Sequence, residues 1–331
     1  MVLFPDSCRR VKHCFLANAA ETANSPNHRF AYITMSVKRI SFIFAAISLV
    51  SICAALGDSS YVDATQKWRS EEEADLKKPD GWLALAGLFW LKEGTNTIGA
   101  GPAFDVRLTN NFKQGKFGEI DFHHGVATLH VEKGVEAQID GQPVSTVSLV
   151  SDEKGKPTEV HSGSQTFYLI RREDRYGIRL KDSQSSARLG FKGQDWFPIK
   201  ESYRIPAQLE AFPAPKDLMV PNVLGGHFKM QSPGTLKFTL EGKELTVQPV
   251  IEDDGSLFII FRDVTSGKET YGAGRFLHAD KPVDGATVLD FNRAENPPCA
   301  FTSFATCPLP PPGNDLPVAI AAGEKHSGHH E

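Results

Sequence analysis

The chain reads as mainly β, with two successive β units preceded by a single N-terminal helix. Three observations carry that expectation. From Asn96 to Lys181, and again from Leu236 to Asn292, apolar or alternating segments of strand length recur, separated by Gly, Asp and Asn at hairpin spacing. Only Tyr61 to Lys78 carries helical periodicity. Proline crowds between the two strand-rich stretches and again near the C-terminus, where it keeps backbone extended.

Before the first element, Ser36-Val-Lys-Arg39 followed by the apolar run Ile40 to Ala55 has the form of an export signal. Met35 precedes it, so residues 1–34 read as an upstream extension and 35–57 as a cleaved leader. The apolar stretch of about 17 residues ends in small residues and falls short of the ~20 a permanent span needs. A lipid anchor at Cys53 is the lesser alternative, because Ile52 stands where lipoprotein signals carry a small residue. The expected location is exported, periplasmic or extracellular. Cutting after Gly57 takes six Lys/Arg and two Asp/Glu from totals of 36 and 40, leaving 30 basic and 38 acidic residues. A net negative chain without a basic stripe argues against nucleic acid. Membrane contact is expected only through the leader or the anchor, and a small molecule or glycan remains the open partner class.

The expected mature chain opens with the helix, in which Tyr61, Ala64, Trp68 and Leu76 fall near one face and Glu71, Glu72 and Glu73 form a solvated one. Pro79-Asp80-Gly81 stops it. Trp82 to Leu91 is core, helix or strand. Strands then follow at Phe104 to Leu108, Phe117 to Phe122, Val126 to Glu132, Val144 to Val150, Thr166 to Arg171 and Tyr176 to Leu180. Asp140-Gly141 is the sharpest turn signal, since that dipeptide accepts the positive φ of a tight hairpin. The segment Thr97-Ile-Gly-Ala-Gly-Pro-Ala-Phe-Asp-Val-Arg-Leu108, with Asp140-Gly-Gln-Pro-Val144, resembles a forkhead-associated β-sandwich. The resemblance implies the fold alone. Ala100 stands after Gly99 where that family carries its phosphothreonine-reading Arg, and the family's Ser-x-x-His element is missing.

A linker-like extended zone is expected over residues 191–221, with the boundary near Lys192 to Tyr203. Beyond it, Leu236 to Leu240, Glu244 to Ile251, Leu257 to Val264, Glu269 to His278 and Thr287 to Asn292 make an antiparallel meander, turned at Glu241-Gly242, Asp254-Gly255 and Ser266-Gly267. Such a meander packs into a sandwich or barrel with one face or mouth for a ligand. The domains expected are therefore a helix plus sandwich at 58–190, a β domain with a Pro/Cys-rich closing segment at 222–325, and a disordered tail at 326–331. The runs Tyr271-Gly-Ala-Gly-Arg-Phe-Leu277 and Leu289-Asp-Phe-Asn-Arg-Ala-Glu-Asn-Pro-Pro-Cys299 through Pro312 resemble domain of unknown function 1684, a family of bacterial proteins. The likeness is placed from about Trp82 to Lys325 and implies no activity.

Function is sought in the same segment. Read as a strand, it puts Glu269, Tyr271 and Arg275 on one face, where a pocket arginine would favour carboxylate or phosphate. Asp290, Asn292 and Asn296 follow at a strand end. The leading expectation is a binding protein that holds a small polar or anionic ligand through these six residues. One alternative is a hydrolase with Asp290 or Glu269 as general base and Arg275 or Asn292 stabilising negative charge; another is an interaction module in the forkhead-like half. Cys299 and Cys307 remain after the leader is trimmed, and read either as a disulfide or as two small buried hydrophobes. No cofactor or metal is expected: His326, His329 and His330 sit in the tail, while His123-His124 and Asp253-Asp254 precede glycines as turns. Elbow, P-loop, zincin and dinucleotide motifs are absent from the sequence.

Overall fold

The computed structural model describes residues 59–326. The expected leader, Cys53, His329 and His330 lie outside these residues. Helix α1 occupies 59–76, and the turn that follows folds back at Gly81, where any side chain would strike the Asp75 and Leu76 carbonyl oxygens, a Cβ lying 2.6 Å from each. Among the described residues no helix is long and apolar enough to cross a membrane.

Trp82 to Leu91 resolves into a short 3-10 turn and strand β1 (Leu85–Trp90). β1 joins β11 (Arg175–Asp182), β10 (Gln165–Arg172), β9 (Val160–Ser162), β6 (Gln138–Ile139) and β7 (Gln142–Pro143) in a six-stranded sheet of order β1-β11-β10-β9-β6-β7. Facing it is a five-stranded sheet of order β3-β2-β4-β5-β8, built from β2 (Gly94–Ala100), β3 (Val106–Leu108), β4 (Lys116–His123), β5 (Val126–Val131) and β8 (Thr146–Leu149). Alternate residues of both sheets, including Ile98, Phe117, Ile120, Leu129, Phe167 and Ile178, meet in one core. This is the sandwich that the spacing of turns indicates. Asp140 and Gly141 both take positive φ, 48° and 77°, in the β6–β7 turn, as a tight hairpin requires. The sheet also holds one parallel pair, β2 with β3, which a pure hairpin reading misses.

The second half is likewise two layers. A four-stranded sheet of order β14-β13-β12-β18 comprises β12 (Arg204–Pro221), β13 (His227–Leu240), β14 (Lys243–Val247) and β18 (Ala286–Asp290). It packs on a three-stranded sheet of β15 (Val250–Ile251), β16 (Leu257–Phe261) and β17 (Arg275–Ala279). Leu257, Ile259 and Phe261 enter the core between these sheets, whereas Phe258 and Ile260 point into a second cluster with Leu85, Val220, Phe228, Ala305 and Cys307. β16 is thus buried on both faces, and the second cluster joins β1 of the first half to the closing segment.

Three expectations need correction. Residues 204–221, read as a linker, are the 18-residue strand β12. Its prolines mislead because Phe212-Pro-Ala-Pro215 lies inside a bulge between Ala211 and Lys216, where the ladder asks for no amide donor. The segment Glu269 to Gly274 is turn, and its strand begins only at Arg275. Finally, α1 docks on the second half rather than on the first sandwich. Its Arg69 donates to the carbonyls of Phe197 and Asn292, each at 2.9 Å, and its Trp68 ring meets Trp196 edge-on at 5.8 Å. The inward face carries buried Thr65 and Arg69, Ala64 is exposed, and Glu72 and Glu73 are half-buried instead of solvated.

Candidate functional site

The six residues singled out from sequence divide among separate hydrogen-bonded networks. Asp290 and Asn292 belong to the seat of α1. Tyr61 donates to Asp290 Oδ1 at 2.7 Å, and fully buried Asn292 donates from Nδ2 to the Tyr61 hydroxyl and the Lys200 carbonyl while its Oδ1 accepts from the Lys200 amide. Burial and the Asp290 carboxylate push the Tyr61 hydroxyl up to about 12, and desolvation brings Arg69 down to about 10. Tyr61, Asn292 and both terminal nitrogens of Arg69 find acceptors inside the fold, as in a structural clamp, while the buried Arg69 Nε is left without one.

Arg275 is 1% exposed and pairs with Asp263 at 2.5 Å, with further bonds to the carbonyls of Ile320 and Ala322. It ties β17 to the closing chain, and although its Nε is left without a partner its charge is answered by Asp263. Glu269 is exposed and Asp290 is engaged by Tyr61, so the expected base-and-arginine arrangement for hydrolysis is not assembled. Asn296 sits beside Glu324: the Asn296 amide donates to Glu324 Oε2 at 2.8 Å, and its side chain donates to the Lys325 carbonyl. Glu324 is 1% exposed, and burial drives its carboxyl up to about 8 despite the Asn296 and Gln194 hydrogen bonds and the nearby Arg275 charge. Tyr271 donates to the Cys299 carbonyl at 3.0 Å and packs on Leu83, Ala300 and Phe301.

A different group, absent from the sequence reading, has unspent binding capacity. On β10 and β11 the register pairs Tyr168 with Arg179, Ile170 with Gly177 and Arg172 with Arg175, so these side chains share the sheet face turned away from the first core. The closing segment covers that face. Thr306 Oγ1 accepts from Arg172 Nε at 3.0 Å and from Arg179 Nη2 at 3.1 Å. Arg172 also pairs with buried Asp152 at 2.8 Å. Arg179 is 1% exposed, its Nε has no hydrogen-bond partner, and among the described residues no carboxylate pairs with it. Two guanidinium groups thus face one carboxylate and one hydroxyl. Beside them, the Cys299 amide lies 3.2 Å from Cys307 Sγ, and both cysteines are free thiols. Among the described residues no group of three or more His, Cys, Asp or Glu is placed to hold a metal ion.

A signal for this group existed in the sequence. Phe167-Tyr168-Leu169-Ile170 is apolar at every position, the mark of a strand covered on both faces, and Arg172 and Arg179 continue the second face. What the sequence could not say is that residues 299–308 provide the cover.

Comparison with known proteins bears on the same C-terminal chain. The family described as a protein of unknown function (DUF1684) matches residues 189–325. The match begins at 189 and not near Trp82, so the first sandwich lies outside it. Among solved structures, an uncharacterised protein of Haloarcula marismortui is 30% identical, with a TM-score of 0.37, over 43% of this chain and 81% of its own. The forkhead-associated structure of Rv0020c is 19% identical, with a TM-score of 0.19, over 29% of this chain and 94% of its own. No curated protein matches the chain.

Proposed function

We propose that this protein is an exported binding protein for a small anion-bearing molecule, received by Arg179, Arg172 and Thr306 where the two halves meet. The observation that carries the reading is Arg179: a guanidinium 1% exposed, with one hydroxyl partner, an unpartnered Nε and no carboxylate. A buried charge without a counter-ion is costly, and a carboxylate or phosphate matched to the guanidinium fork would offset that cost. Arg172 adds a second cation, whose own acid, Asp152, also accepts from the Arg171 amide at 3.0 Å. Export rests on the basic and apolar pattern of residues 36–57. On the closing-segment side, Tyr271 donates to the Cys299 carbonyl and the Cys299 amide meets Cys307, the residue after Thr306.

Calorimetric titration of the full chain with inorganic phosphate at low salt tests this. Saturable one-to-one binding is expected. Arg179→Met should weaken it by about 10- to 100-fold, the worth of one or two charge-assisted hydrogen bonds. Thr306→Val keeps both guanidinium groups and should weaken it less. Absence of saturable binding to wild type, or equal affinity in a folded Arg179→Met variant, overturns the assignment.

A further inference from the structure

Cys299 and Cys307 are held together by elements other than themselves. Cys307 is fixed to the β12–β13 connection: the Val223 amide donates to its carbonyl at 3.1 Å, the Leu309 amide donates to the Pro221 carbonyl at 2.7 Å, and Pro308 bridges Asn222. Cys299 lies in the 3-10 turn Pro298–Ala300, whose Pro297 and Pro298 stiffen the entering chain. Tyr271 grips its carbonyl at 3.0 Å, and its amide points at Cys307 Sγ at 3.2 Å. That amide contact sets the two cysteines side by side. They differ in access, since Cys299 is half-buried while Cys307 is 5% exposed.

Their chemistry differs in the same sense. Hydrogen bonding from Cys307 brings the Cys299 thiol below its ordinary value, whereas burial pushes Cys307 well above. A thiolate is the attacking species in disulfide exchange, and accessibility decides which sulfur meets a reagent.

We propose that Cys299 and Cys307 are a reactive dithiol, with Cys299 the attacking sulfur and Cys307 the resolving one, that a low-molecular-weight disulfide converts into an intramolecular disulfide. The Cys299 thiolate attacks one sulfur of the reagent, forming a mixed disulfide and releasing the first thiolate. Cys307 then loses its proton and attacks Cys299 Sγ, and the second reagent thiolate leaves. In sum, two protein thiols and one reagent disulfide give one protein disulfide and two reagent thiols. The bond would staple the closing segment at Thr306-Cys307 to the turn at Pro298–Ala300, shortening a loop that the fold already brings to closure. This inference does not depend on the anion site.

The test uses the full chain with oxidised glutathione, read by intact mass, peptide mapping and thermal melting, with the urea-unfolded protein as control for reagent competence. Wild type should lose two hydrogens in a 299–307 cross-link, carry no lasting adduct there and melt several degrees higher, all reversed by a dithiol reductant. Cys307→Ser should stall as a single glutathione adduct on Cys299. Cys299→Ser should react far more slowly, because the remaining sulfur is buried and protonated. Folded wild type that keeps both thiols free, or that accumulates the adduct on Cys299 without closing, overturns the proposal; faster reaction of Cys307 than of Cys299 overturns the assignment of roles.

Discussion

Replacing Glu324 with Gln probes the most perturbed carboxyl of the C-terminal half. Its ordinary value of 4.5 rises to about 8 in the fold, where it is 1% exposed and faces the Asn296 amide, the Gln194 side chain and the charge of Arg275. The folded state therefore holds a proton that the unfolded chain releases throughout that window. Stability falls as pH climbs from 4.5 towards 8 and levels off above it, the reverse of a carboxyl whose value is depressed. At about 1.4 kcal/mol per pH unit, the linkage integrates to a loss of about 3 kcal/mol between about pH 5.5 and 8.5. Gln keeps a carbonyl oxygen for the Asn296 amide and brings an NH2 near Asn296 Oδ1 and Gln194 Oε1, two buried acceptors that have no partner. Urea unfolding of wild type and Glu324→Gln across that range is the assay. The difference between their midpoints should widen by about 1 M as the pH is raised, with the variant the more stable at the alkaline end. Parallel stability curves would refute the reasoning, because they would mean that Glu324 does not change its proton on folding.

Asp263→Ala strands the guanidinium of Arg275, both side chains being at most 1% exposed, and should cost about 3–5 kcal/mol in chemical denaturation; a cost below about 1 kcal/mol would show that Arg275 finds water instead. Tyr61→Phe removes the hydroxyl that serves both Asp290 and Asn292 and should cost about 1–2 kcal/mol. Because that hydroxyl anchors α1, the same variant should raise amide hydrogen exchange in 59–76 before it does so in the sheets, and uniform protection across α1 would contradict the clamp.

Much of the architecture was legible in local pattern. Turns such as Asp140-Gly141 are decided by the backbone conformations that two residues tolerate, and the alternation of β13 follows from a sheet with one buried face. The helix was legible too, but not the surface it covers: Arg69 and Thr65 look like solvent-facing residues until Phe197 and Asn292 supply their buried surroundings. Proline misled over 204–221 because composition registers the missing amide and not the bulge that makes it harmless. For the candidate site, a strand period laid over Glu269 to Gly274 placed Glu269, Tyr271 and Arg275 together where the chain in fact turns.

By itself, then, the sequence determined the β class, many of the hairpin turns and the N-terminal helix, though not the short second helix Ser186–Gly190, since propensity, period and turn chemistry act over a few neighbouring residues. Which charges are buried was decided only by tertiary structure. Arg275 finds Asp263 at a separation of 12 residues, whereas Arg179 meets Thr306 across 127 and among the described residues finds no acid. Whether a charged side chain becomes a clamp or a receptor depends on what the fold brings against it from far along the chain, and no local pattern encodes that partner.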